Sequence, residues 1–155
     1  MDNHGVAITV IWDDPDVVEV SISARSENFA GSTRVYLAHG DLKALADTLR
    51  GFPVSALDER DVEFGKFGRE RAHGAARLKF YSVDASANAC VEATLETPWP
   101  RATSWPHGEV AETARIVVKI EAAGVDRFVS QLFAIDRETK GAAYLSAVTH
   151  HLPVN

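Results

Sequence analysis

Apolar and polar residues alternate with a period of two along most of this chain, and the rhythm changes to a helical one in two clear places. Val6, Ile8, Val10 and Trp12 alternate with Ala7, Thr9 and Ile11, and the turn-prone run Asp13, Asp14, Pro15, Asp16 ends that strand. A second strand follows, with Val18, Val20, Ile22 and Ala24 on one face and Glu19, Ser21 and Ser23 on the other, so one side is buried. Gly31 marks a turn before a third strand, Thr33 to Leu37. The connections are too short for parallel crossovers, which predicts an antiparallel meander.

The segment Asp41 to Pro53, DLKALADTLRGFP, reads as one capped helix. Asp41 is placed to cap the first turn, and Leu42, Leu45 and Leu49 share a face. Gly51 supplies a left-handed stop, Phe52 the hydrophobic contact beyond it, and Pro53 forbids continuation. Val54 to Arg60 is expected to be a connection, Asp61 to Phe67 an edge strand on Val62 and Phe64, and Gly65 to Gly74 a mobile glycine-rich loop.

Leu78 and Phe80 then alternate with Arg77, Lys79 and Tyr81, and Ala89, Val91, Ala93 and Leu95 with Cys90, Glu92 and Thr94, across a turn at Asp84 to Ala87. Ile116, Val118 and Ile120 face inward from a last strand. Gly124 is expected to break that strand, and Val125, Phe128, Leu132 and Ile135 predict a second helix. Ala142 to Val148 is read as a short final helix or a frayed end, with a loose tail over 149–155. The expectation is a single α+β domain over 1–155: a strongly curved, mainly antiparallel sheet of six to seven strands, or that sheet split into two packed sheets, with two main helices.

Composition narrows the function classes. At 155 residues and 46% hydrophobic content the chain can close a core without metal or disulfide support. Its 16 Lys and Arg stand against 22 Asp and Glu, and the resulting charge of −6 argues against nucleic acid or an anionic membrane as partner. A single cysteine, no signal-like N-terminus and no apolar run of membrane-spanning length favour a cytoplasmic protein.

No motif selects a catalytic residue, a cofactor or a metal, and none is expected. The six histidines lack paired ligand spacing, and Cys90 sits mid-strand without a nearby histidine. GKFGRERAHG, Gly65 to Gly74, has the glycines of a phosphate cradle but leads into a strand rather than a helix. Two regions offer a recognition surface instead. TPWPRATSWPHGE, Thr97 to Glu109, puts Trp99 and Trp105 in a loop with Arg101 and His107 beside them, where indoles require either burial or a partner. The acidic run containing Asp58, Glu59 and Asp61 lacks calcium-loop spacing and suits a charged rim.

A resemblance spans most of the chain. Trp12 opening an acidic turn, VVEVSISA (Val17 to Ala24), the Phe29 and Gly31 turn, Val35 and Tyr36, the helix DLKALADTLRGFP, VEFG (Val62 to Gly65) and VDRFVSQL (Val125 to Leu132) occur together in order. This order resembles small bacterial proteins that include immunity proteins of contact-dependent toxins, of the kind paired with a wall-associated nuclease toxin. It implies a non-enzymatic domain that binds and blocks a toxin made by the same cell, with an acidic surface complementary to a basic protein toxin. The alternatives from the residues alone are a small-ligand or enzymatic domain with a pocket in the curved sheet, and a structural subunit completing an oligomer.

Overall fold

A computed structural model of the chain describes residues 4–68, 73–86, 88–99 and 110–148. Eight strands form two four-stranded antiparallel sheets. Sheet A has the order β3-β2-β1-β8, from β1 (Gly5–Asp13), β2 (Val17–Arg25), β3 (Ala30–Ala38) and β8 (Ala142–Ser146). Sheet B has the order β4-β5-β6-β7, from β4 (Glu59–Phe64), β5 (Ala75–Ser82), β6 (Asn88–Glu96) and β7 (Thr113–Glu121). Helix α1 (Asp41–Leu49) carries the chain from β3 to β4, and α2 (Ala122–Glu138) from β7 to β8. The fold is therefore α+β, with the sheet split rather than curled. Each meander hides one apolar face, and packing the two faces together buries both.

The sheets cross steeply. A Cβ on Gly31 would lie 3.2 Å from Ala114, the Thr33 hydroxyl donates to the Glu96 carbonyl at 2.7 Å, and a Cβ on Gly65 would lie 3.4 Å from Val35. Strand β3 thus runs over the ends of β7, β6, β5 and β4 in turn. Gly74 is required by this crossing, because any side chain there would stand 2.2 Å from the Arg34 carbonyl oxygen. One core results, drawing Ile8, Val20 and Ile22 from sheet A, Leu78, Phe80 and Val91 from sheet B, and Leu45 and Leu132 from the helices.

Several local expectations are corrected. Ala142 to Val148 contains strand β8 rather than a helix: Ala143 and Leu145 turn inward, Ala142, Tyr144 and Ser146 do not, and β1 offers a ladder from Gly5↔Ser146 to Thr9↔Ala142. So short a segment cannot offset helix nucleation alone, whereas a waiting strand supplies every bond. Asp41 is not the cap of α1. Gly40 holds that position, and the Asp41 carboxylate accepts the Ala38 N–H at 2.9 Å.

Gly124 does not end β7 before the helix; it is buried in the first turn of α2, which leaves β7 directly at Glu121. The edge strand β4 runs from Glu59 to Phe64, starting two residues and ending three residues earlier than its alternation suggested. The stop of α1 is as expected, with Gly51 at φ 75 and Phe52 buried, its N–H donating to the Leu49 carbonyl. Among the described residues no helix is long and apolar enough to cross a membrane.

Candidate functional site

The helices and the crossing sheets leave the outer face of sheet B uncovered, and the acidic run lies at one corner of it. Asp58 precedes β4, and its side chain is only 8% exposed. One carboxylate oxygen accepts the Val54 N–H at 2.7 Å, and both accept from Arg60, at 3.2 and 2.9 Å. The Arg60 guanidinium, through these bonds above all, holds the Asp58 carboxyl below the usual carboxylate range against the opposing effect of burial.

Arg60 also reaches α1. It donates to the carbonyls of Thr48 and Arg50 at 2.9 and 2.8 Å and stacks over the Phe52 ring at 5.4 Å. Carbonyls that a helix leaves unpaired at its C-terminus are satisfied by a cation, which also suits the helix dipole there. The turn between α1 and β4 is therefore held from both sides. It presents two apolar side chains to solvent, Val54 at 77% and Leu57 at 92% exposure. Ser82 donates its N–H to the Asp58 carbonyl, which brings a third, Val83 at 53%, to the same corner.

Beside these lies a shallow groove of about 340 Å³ lined by Leu57, Glu59, Lys79, Tyr81, Ser82 and Glu92. Its charges are paired diagonally across the ladder. Glu59 meets Lys79 at 3.1 Å, Asp61 takes a two-pronged contact from Arg77, and Glu92 takes another from Arg115 at 2.8 and 2.9 Å. The Arg77 and Arg115 contacts lower the Asp61 and Glu92 carboxyls. Burial, then the neighbouring Cys90, pushes the Tyr81 hydroxyl up. Cys90 itself is buried, in register between Tyr81 and Lys119.

The two regions singled out from sequence do not form one site. Asp58, Glu59 and Asp61 come together at the corner just described. Trp99 follows β6 at the opposite end of sheet B; it is half-buried, and its buried indole N–H has no hydrogen-bond partner among the described residues. Arg101, Trp105 and His107 lie outside the described residues. Of the histidines, His39 donates to the Asp14 carbonyl at 2.6 Å and His73 meets the Tyr36 ring edge-on at 4.8 Å, both serving local structure.

Sequence reasoning missed Val54, Leu57 and Val83. Val54 and Leu57 are apolar residues in a segment already recognised as a connection, and the argument applied to Trp99 applied equally to them. A larger groove, about 900 Å³, lies at one end of sheet A and is lined by His4, Ser23, Arg25, Ser32, Tyr144 and Ser146 among others. No family model, no curated protein and no solved structure matches the chain.

Proposed function

We propose that this chain is a non-enzymatic protein-binding domain of the immunity type, which docks on a cognate basic toxin in the cytoplasm through the 54–59 corner of sheet B. The observation that carries this reading is Leu57, almost fully exposed on a turn fixed by Asp58 and Arg60. An apolar side chain held in place before binding loses little freedom on docking, and a ring of paired charges around it excludes water and rejects wrong partners. Glu59, Asp61 and Glu63 set an acidic margin beside it, suited to a basic surface.

The test is binding to a toxin-like protein encoded beside this chain. Leu57→Asp is expected to weaken the complex about 100-fold, the size of a central anchor loss. Raising the salt concentration is expected to slow association. Undiminished affinity in Leu57→Asp, or the absence of a toxin-like neighbour, overturns the proposal. The groove at the end of sheet A favours a second reading, a polar small-ligand site with His4, Ser23, Ser32 and Tyr144 as hydrogen-bonding groups. Ligand-induced stabilisation lost in Tyr144→Ala, with toxin binding untouched, would select it.

A further inference from the structure

Charge on the outer face of sheet B changes sign from strand to strand. Strand β4 is acidic (Glu59, Asp61, Glu63), β5 basic (Arg77, Lys79), β6 acidic at Glu92, and β7 basic at Arg115 and Lys119. Glu121 lies past that stretch, at the N-cap of α2. The alternation stops at each edge with a charge unmatched: Glu63 and Lys119 make no ion pair among the described residues. On its open side β4 has no basic strand beside it, and β7 has no acidic one on its own, among the described residues.

Both edges are also open in their backbone. The Ser82 N–H donates to the Asp58 carbonyl, so the even-numbered residues of β4 bond to β5, and Asp61 and Glu63 turn their N–H and C=O groups outward. On β7, the Thr97 N–H donates to the Glu112 carbonyl, while the Lys119 carbonyl accepts the Val148 N–H from the far side. Arg115 and Val117 therefore also point their backbone groups outward. Among the described residues none of these groups has a partner. An unpaired edge of this kind is a template for another strand.

The geometry points to head-to-tail self-association, in which β4 of one copy pairs antiparallel with β7 of a second copy and continues sheet B. The order β4-β5-β6-β7 makes the two edge strands antiparallel in sense, so a second copy joins with its outer face on the same side. The register with Asp61 opposite Val117 sets Glu63 opposite Arg115, while Val62 meets Ile116 on the inner face; the Val148 backbone holds the edge at Lys119, so the pairing ends at Val117. Each of the first two pairs exchanges two N–H···O=C bonds. Pairing like edges fails on charge: β4 on β4 opposes carboxylates, and β7 on β7 opposes Arg115 and Lys119. The contact is thus heterologous and grows into chains or rings rather than stopping at a dimer.

Proline supplies the test, because the N–H of Asp61 and of Val117 serve no bond in their own sheet. Asp61→Pro and Val117→Pro each block one edge and leave the internal ladder intact. By sedimentation at low salt, the wild-type average mass is expected to rise at least about twofold with concentration, and to fall as salt is added. Each variant alone is expected to remain monomeric or lose association by about tenfold or more. An equal mixture is expected to form dimers, since Asp61→Pro keeps an intact β7 and Val117→Pro an intact β4.

Should either proline variant fail to fold, Glu63→Arg and Arg115→Glu replace them: each alone is expected to lose association, and their equal mixture to regain it as chains, because both kinds of contact then join opposite charges. A wild type that stays monomeric at every concentration overturns the inference. So do variants that associate like the wild type, or a mixture that stays monomeric.

Discussion

Sheets A and B have equal strand numbers and share one core, yet they finish their surfaces in opposite ways. In sheet A the β8 edge is covered, while β3 is packed against sheet B with the outward backbone groups of Ser32, Arg34 and Tyr36 taking no backbone hydrogen bond among the described residues. Strand β3 lies across the ends of sheet B, and β8 lies under α2, whose Gln131 side chain accepts the Tyr144 N–H at 2.7 Å. Its outer face carries small neutral residues such as Ala7, Thr9, Ser21 and Ser23. Among the described residues sheet B keeps two open edges and an outer face of alternating charge. Both helices sit where the sheets must be joined, so among the described residues no element covers the outer face of sheet B. An outer face that the described elements do not cover is finished by charge pairing across its ladder.

The comparison holds only if the two sheets are one cooperative unit, and the largest predicted effect tests this. Phe80 in sheet B and Ile22 in sheet A are both fully buried. Phe80→Ala is expected to cost roughly 3–5 kcal/mol and Ile22→Ala roughly 2–5 kcal/mol. Denaturant unfolding followed by tryptophan fluorescence and by circular dichroism should give one transition in each variant. Separate transitions for the two sheets would dissolve the contrast into two independent units.

Next in size is Asp58, which sharpens the contrast by asking how firmly the exposed corner is held. Asp58→Ala leaves the half-buried Arg60 without its carboxylate and the Val54 N–H without an acceptor. A loss of about 2–4 kcal/mol is expected from chemical denaturation. The pH dependence follows from the direction of the shift. Its carboxyl is depressed in the folded chain, so the stability it contributes is complete above the unfolded value of about 3.9 and disappears as pH falls through the folded one. Wild type and Asp58→Ala should therefore differ by a constant from neutral pH to about 5 and converge below about 4. A difference that grew with acidification would reverse the sign and the assignment.

How far the sequence carried this picture depends on what each feature needs. Alternation exposed the buried face of nearly every strand, because side-chain direction is a local property of an extended chain. The stop at Gly51 and Phe52 was legible for the same reason. Strand β8 was not: Leu145 and Val148 sit at a spacing that fits a helix, and only β1, over a hundred residues away, decides for a strand. The acidic run was visible as composition, whereas its partners Lys79 and Arg77 are set by register between strands. The open edges were invisible, since which face of a strand's backbone stays unpaired depends on sheet order.

A smaller effect should follow from uncovering sheet A. Gln131→Ala removes the acceptor for Tyr144 N–H at the outer side of β8. A cost of about 0.5–1.5 kcal/mol is expected, since the freed group is partly reached by water. If covering matters in the way argued, this variant should also gain a weak tendency to self-associate in sedimentation, which sheet A otherwise lacks.

The smallest expected change in stability comes from Leu57→Asp. A leucine in the core would lose roughly 2–5 kcal/mol on truncation, but Leu57 touches mostly solvent, and the turn beneath it is held by Asp58, Arg60 and the Ser55 hydroxyl that accepts the Leu57 N–H. Its replacement should move the unfolding midpoint by no more than about 0.5 kcal/mol in free energy. That outcome is what the proposed docking role of Leu57 requires, because a docking anchor is not needed by the fold. A loss as large as that of Phe80→Ala would instead make Leu57 part of the core, and the proposed docking corner would lose its anchor.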